Sequence, residues 1–377
     1  MIVGIAWIGA SFYFIWLDNH LHAPLDPADQ AKGIGGEVWA VHGGGFYTAK
    51  KFTLAPATLP PELHWFMWEA YSTLITGLLL LCLVYYWGAE IALIDPAVMA
   101  LDKPQAILIG LAFLVAGWLV YDVLCRSAFG EDDAVLGGLL FLFCSAAAWA
   151  LCHLFSGRGA YLHFGAMLGV IMVLNVYFVI IPGQRELVRA KQQGRTPDPR
   201  FGLMGRQRSV HNTYFTLPVL FTMISSHYAG LYGHPWNWQL LVMISASGAL
   251  VRVWFVQRHR NAADPLVLAA GLVLLALTAI LALPRGGDDH GGPVAFTEVQ
   301  PVIQARCVPC HALKPTLANI AAPPKGVILE TATEIHARAA MINLQAAVTK
   351  VMPPGNMTNI TDDERRLIAR WFRSGAQ

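Results

Sequence analysis

Cys307, Cys310 and His311 form a C-x-x-C-H sequence. At this spacing two thiols bond covalently to a haem and the next histidine ligates its iron. The chemistry implied is electron transfer through a c-type haem. A sixth ligand is expected from a methionine, because Met/His ligation raises the potential of cytochromes c. Met352 and Met357 both precede the last helical stretch, and Met352 is favoured because Met352-Pro353-Pro354 makes a stiff loop that can present a thioether. The plain alternatives are a disulfide or zinc pair at Cys307 and Cys310 and an ordinary core role for Met352.

The elements that position this motif are legible around it. Residues 285–293, Arg-Gly-Gly-Asp-Asp-His-Gly-Gly-Pro, read as a short linker rich in turn formers. The segment 294–377 is long enough for a small class I-like cytochrome c domain nucleated by its haem. A first helix, Phe296 to Arg306, is expected to deliver the cysteines. A last helix is expected to start at Thr361, whose hydroxyl caps free amides while Glu364 reaches back. Leu367, Ile368, Trp371 and Phe372 recur at helical spacing, a stripe expected to pack on the first helix and the haem edge.

Upstream the texture is that of a membrane protein. Of the 377 residues 55% are hydrophobic and only 13% charged, which excludes an ordinary soluble domain for residues 1–284. The net charge of +2 identifies no partner, and no basic stretch interleaved with aromatics suggests nucleic acid. Cys82, Cys125, Cys144 and Cys152 lie in or beside apolar segments and read as small core residues. Eight apolar stretches approach the roughly 20 residues that cross a bilayer: about 1–18, 67–88, 104–122, 134–154, 160–181, 211–231, 237–257 and 265–283. The expected fold is therefore all-α, an eight-helix transmembrane bundle followed by the cytochrome domain. The first stretch is the shortest, about 26 Å at ~1.5 Å per residue. It has no basic region ahead of it and does not read as a cleavable signal peptide.

Two arguments set the orientation. Haem is attached to C-x-x-C-H outside the bacterial cytoplasmic membrane, which places the C-terminal domain in the periplasm and, over eight spans, the N-terminus there too. The loop after the fifth stretch is then cytoplasmic. It carries Arg185, Arg189, Lys191, Arg195, Arg200, Arg206 and Arg208 against Glu186 and Asp198, as the positive-inside rule requires. Arg252, Arg258 and Arg260 fall on the same side.

Ionisable groups at membrane depth default to a functional reading, and histidines gather at two levels. His20, His22, His42, His64, His211 and His259 lie toward the cytoplasmic face; His153, His163, His227 and His234 lie toward the outer face. His153, His163, His211 and His227 are candidate ligands for a b-type haem in the bundle. His211 and His227 are about 24 Å apart along one helix and could serve different centres but not one haem. For each, an interfacial histidine bonded to a carbonyl or water is the plain alternative. Nucleotide and hydrolase fingerprints are absent. Gly33-Ile34-Gly35-Gly36 lacks the third glycine of G-x-G-x-x-G, and His42-Gly43-Gly44-Gly45 resembles a lipase oxyanion loop with no G-x-S-x-G elbow to accompany it.

The run from Gly4 to Asp18 (GIAWIGASFYFIWLD), His42-Gly-Gly-Gly-Phe-Tyr47, Leu63-His-Trp-Phe-Met-Trp-Glu-Ala-Tyr71 and the C-terminal C-x-x-C-H domain together resemble the membrane-bound bacterial urate oxidases with a cytochrome c domain. The resemblance runs over essentially the whole chain, with less chain ahead of Gly4 than is usual there; a start site placed too far downstream would account for that. It implies oxidation of urate to 5-hydroxyisourate at a multi-pass inner-membrane protein. Electrons would pass to the c-type haem, and on to a respiratory acceptor such as a soluble cytochrome c or cytochrome oxidase, rather than to oxygen.

The resemblance carries no active-site assignment, so the site is placed by physics. Purine breakdown intermediates are cytoplasmic, and the longest polar loop on that side is 19–66. Urate is a planar, anionic bicycle. Phe46 or Trp65 could stack on it, the amides of Gly43 to Gly45 could meet its carbonyls, and Lys50 or Lys51 could balance its charge. His42, His64 and Glu69 are the candidate catalytic residues, with His64 or Glu69 taking a proton as electrons leave. An interfacial belt of Trp65, Trp68 and Tyr71 is the plain alternative. Such a site lies about 30 Å of hydrocarbon from an outer haem, which is the reason to expect a second redox centre; urate bound on the periplasmic side, close to the cytochrome, would need none. Two other readings remain: a membrane electron-transfer subunit that oxidises quinol or a partner dehydrogenase, and a copper- or haem-handling membrane protein.

Overall fold

A computed structural model describes residues 2–259, 262–283, 292–318 and 320–376. Arg260, most of the expected linker and the His259 side chain lie outside the described residues. The chain is mostly helical. In order it forms α1 (Ile2–Asn19), α2 (Pro27–Ala31), β1 (Ile34–His42), β2 (Gly45–Phe52), α3 (Trp68–Leu81), α4 (Ala89–Ala92), α5 (Lys103–Arg126), α6 (Asp133–Leu154), α7 (Gly157–Asn175), α8 (Ile181–Gln192) and α9 (Pro199–Ile224). There follow α10 (Ala229–Tyr232), α11 (Asn237–His259), α12 (Pro265–Leu281), α13 (Phe296–Arg306), α14 (Val308–His311), α15 (Ala332–Ala337), α16 (Ala339–Ile342) and α17 (Asp362–Arg373).

Among the described residues six helices are long and apolar enough to cross a membrane: Ile2–Asn19, Trp68–Tyr86, Lys103–Arg126, Asp133–Leu154, Gly157–Gln192 and Asn237–Arg258. The sixth and eighth expected spans exist as helices of different character. Helix α12 has 17 residues. Helix α9 has 26 and starts at Pro199 rather than near 211, because Asp198 caps it through the Arg200 amide and Pro199 fits its first turn. Its first fourteen residues carry Arg200, Arg206, Arg208, His211 and Asn212. Arg208, counted above with the loop cations, is in fact 1% exposed inside the bundle.

Helices α7 and α8 run on as one 36-residue helix, interrupted by a π-helical turn at Val176–Ile180. Pro182 has no amide hydrogen and its ring would meet the carbonyl of Phe178, so the chain widens by one residue there. The principal core packs α5, α6 and α7 around Tyr121, Leu136, Leu151, Phe164 and Met167. At its centre an added Cβ on Gly117 would stand 2.4 Å from Met167 Cγ, so α5 and α7 meet at a distance only glycine permits.

The all-α expectation is corrected within residues 19–66. β1 and β2 form an antiparallel hairpin with His42 opposite Gly45. Gly43 and Gly44 make the two-residue turn with φ of +56° and +82°, the positive pair that a type I′ turn needs. The glycine run is therefore a hairpin tip.

Beneath the hairpin, Asp29 is buried and accepts hydrogen bonds from Lys50 and, at 3.1 Å, Lys32. Lys50 first and then Lys32 hold its carboxyl below the usual carboxylate range. A carboxyl lowered in this way adds stability above its unfolded pKa, and that stability is lost as pH falls through the lower folded value. The hairpin is expected to loosen only in acid, below the ordinary carboxylate range. Asp29→Asn should loosen it at neutral pH and abolish the acid step. Amide protection factors of Val38 to Lys50, measured from about pH 7 to about pH 3, check both.

Residues 294–376 have their own core, in which Val299, Ile303, Ile335, Ile368 and Trp371 are fully buried. The α17 stripe packs on α13 as expected, with the Trp371 and Phe296 rings 5.9 Å apart. The Thr361–Glu364 capping box also forms.

Candidate functional site

A cavity of about 850 Å³ opens where α1, the 63–69 segment, the π-helical turn with α8, and α9 converge. Its polar lining includes Asp18, Asn19, Lys51, His64, Glu69, Gln184, Arg206 and Asn212, and its apolar wall includes Trp7, Phe14, Trp65 and Phe66. Phe14 and Phe66 meet edge to face at 4.8 Å, and His64 stands against Phe66 at 4.5 Å. Lys51 pairs with Asp18 at 2.8 Å. Oε2 of Glu69 is out of solvent with no hydrogen-bond partner. A buried, unsatisfied carboxylate oxygen is costly, and this one belongs to a residue that lines the cavity.

Behind this cavity lies a buried polar network. Asn175 Nδ2 donates to Asn212 Oδ1 at 3.0 Å and to the Tyr121 hydroxyl at 3.1 Å. Arg208 donates to Asn175 Oδ1 at 3.2 Å and to Asp122 at 2.8 Å, and its guanidinium lies 4.9 Å from the Tyr121 ring centroid. The Tyr121 hydroxyl also shares a hydrogen bond with His211 Nδ1, 2.8 Å away. Asn212 borders the first cavity. His211 borders a second one, of about 1120 Å³, between α6, α7, α9 and α11.

The expected site residues fare differently. His64, Glu69, Trp65 and Lys51 are brought together at the first cavity. His42 and Phe46 sit exposed at the hairpin tip and are not among its lining residues. Lys50 is committed to Asp29. Arg206, Asn212, Gln184, Asn19 and Phe14 were not singled out from sequence. Arg206 alone had a signal, as a loop cation.

The four histidines considered for a bundle haem are not assembled. His153 is exposed with Nδ1 on the Trp149 carbonyl, and His227 is exposed in the turn after α9. His163 is fully buried between the Gly159 carbonyl at 2.9 Å and the Tyr86 hydroxyl at 3.3 Å. Its Nε2 also lies 2.9 Å from where a Cβ on Gly110 would stand. His211 borders the second cavity, with its Nδ1 engaged by the Tyr121 hydroxyl. These residues do not fit a shared haem.

At the C-terminal motif the donor set does fit a c-type haem. Cys307 and Cys310 are unbridged thiols around the single turn α14. Burial, and then the neighbouring Cys310, push the Cys307 thiol up to about 12. His311 Nδ1 meets the Val327 carbonyl at 2.9 Å, which fixes the ring and leaves Nε2 as the free lone pair. Asn343 Oδ1 and Asn356 Oδ1 are buried without partners on either side of Met352. Arg306, one residue before Cys307, grips Glu364 at 3.0 Å and ties α13 to α17.

The helices long and apolar enough to cross a membrane are compatible with a multi-pass membrane protein, and they hold a polar cavity with aromatic side chains in its wall. The model of the family described as Urate oxidase N-terminal matches residues 1–283, and the chain belongs to that family. No curated protein and no solved structure matches it. Membership points to a urate-related function and to oxidoreductase chemistry.

Proposed function

We propose that the chain oxidises urate to 5-hydroxyisourate in the cavity bordered by Glu69 and delivers the electrons to a c-type haem on Cys307, Cys310 and His311, with Met352 as sixth ligand. The observation that carries the reading is the unpartnered, buried Oε2 of Glu69 in an aromatic-walled cavity of the family-matched region.

The reaction takes the oxygen of one water onto urate and releases two electrons and two protons. Trp65 and Phe66 offer faces to the bicycle, while Arg206 and Lys51 balance its negative charge. The amides of Asn19, Gln184 and Asn212 match its alternating carbonyls and N–H groups. Asn212 is held for this by Asn175 and by its own bond to the Met172 carbonyl at 3.0 Å. Glu69 receives a proton from the attacking water. His64, exposed at the mouth, passes it to solvent. The haem, when bound, accepts electrons one at a time.

In this proposal eight helices cross the bacterial inner membrane, with the C-terminal domain outside and a respiratory acceptor such as a soluble cytochrome c or cytochrome oxidase beyond it. Arg185, Arg189, Lys191, Arg195, Arg200 and Arg206 support the cytoplasmic side for the cavity. The resulting span of about 30 Å calls for a carrier between the two ends, and the second cavity is room available to one.

An anaerobic visible spectrum of the purified chain, taken before and after urate with a pyridine haemochrome assay alongside, tests the proposal. Growth of the reduced c-type band on urate addition is expected. No change, in a preparation that dithionite still reduces, would sink it and leave a membrane electron carrier.

A further inference from the structure

The segment that carries Met352 is held from outside its own domain. The Thr349 carbonyl lies so close to Gly233, in the corner after α10, that an added Cβ there would stand 2.6 Å from it. Val351 packs on the principal core of the bundle. Gly355, in the left-handed region at φ +55°, sits over the end of α4. An added Cβ there would meet the carbonyls of Glu90, Ile94 and Ile91 at 2.8, 3.0 and 3.1 Å. Contacts to the bundle therefore bracket Met352 within three residues on each side. From its own domain the segment is tied by the Met352 amide to the Gln345 carbonyl at 3.0 Å. The buried Arg365 adds bonds to the carbonyls of Ala346 and, at 2.8 Å, Met352.

We propose that the bundle completes the haem site: Gly233 and the end of α4 dock the 349–356 segment and thereby position the Met352 thioether. This rests on the c-type haem reading above. Gly233 is a positioning residue, and docking in this way joins the carrier of electrons to the part that supplies them. Because Met ligation raises the potential of a His-ligated haem, a displaced segment would lower it.

Gly233→Ala tests this without touching the haem domain. Gly233 has φ −86°, which alanine adopts freely, so the added methyl acts by pressing on the Thr349 carbonyl and, less closely at 2.9 Å, on the Ala229 carbonyl of α10. The full-length holoprotein is expected to lose much of its far-red Met–iron charge-transfer band and to show a lower midpoint potential, with covalent haem content unchanged. Gly230→Ala, in the same short helix with open space around it, should leave both as in the wild type. Val351→Ala perturbs the contact by removing bulk rather than adding it, and should shift both readouts the same way, by less. A native band and potential in Gly233→Ala with full haem would overturn the proposal. Should that variant fail to accumulate, native values in Val351→Ala would overturn it equally. Absence of covalent haem from the wild-type chain would overturn the reading beneath it instead.

Discussion

Glu69→Gln is expected to lower urate-dependent turnover by about 10²–10⁴-fold, the range a positioned general base contributes, with little change in KM. The amide keeps the size and one acceptor of the carboxylate but cannot take a proton from water. Haem content and reduction by dithionite should be as in the wild type, because Glu69 and the C-x-x-C-H motif belong to separate cores. The decisive readout is the pH profile of turnover: the limb due to the base should flatten in the variant. Turnover within a few-fold of the wild type would remove Glu69 from the chemistry and would return it to a structural role at the start of α3.

Arg208→Met carries the largest expected effect on stability. Arg208 is 1% exposed and bonded to Asp122 and Asn175. Removing it leaves the Asn175 amide oxygen without its donor inside the bundle and takes from Asp122 one of its two cations. Breaking a buried pair in this way costs about 3–5 kcal/mol. The lower end is expected, because Arg126 still reaches Asp122 at 2.7 Å. Thermal unfolding in detergent should show a marked fall in Tm. Arg208→Lys should recover part of it, since a point charge can meet Asp122 but cannot also reach Asn175 as the planar fork does. An unchanged Tm in Arg208→Met would mean that the network is not what holds α9 against α5 and α7.

The parts of the chain that could be read from sequence are those whose determinants are local. The Thr361–Glu364 capping box and the Ile368–Trp371 spacing fix α17 within a few residues, and both form. The apolar runs likewise give most of the long helices. The misses have a common cause in pairing at long range. Arg208 reads as a loop cation, His211 as a candidate haem ligand, and Asn212 carries no signal, because their partners, Tyr121, Asp122 and Asn175, lie on other helices and meet them only in the fold. Helix α9 was accordingly begun too late. The hairpin was missed because the positive-φ Gly43-Gly44 turn looks, in a bare string, like any glycine-rich loop. At the cavity, His64 and Glu69 were visible as ionisable groups beside aromatics. Gln184 and Asn19 had nothing local to mark them and Arg206 only its charge, since what joins them is the crossing of α1, α8 and α9.

The π-helical turn at Val176–Ile180 is a phase shifter. In an α-helix each residue advances the face by about 100°, so one inserted residue turns everything beyond it by that angle relative to everything before. On one side of the turn stands Asn175, keyed to Tyr121, Asn212 and Arg208. On the other stand Ile181, Gln184 and Val188, which wall the first cavity. Without the extra residue the two sets would be out of step by more than a quarter of a rotation, so that either the polar network or the cavity wall could keep its register, but not both. Pro182 thus does more than interrupt a ladder of hydrogen bonds. It sets the relative timing of two functional surfaces on a single rod, and a one-residue deletion there would detune them while leaving every contributing side chain in place.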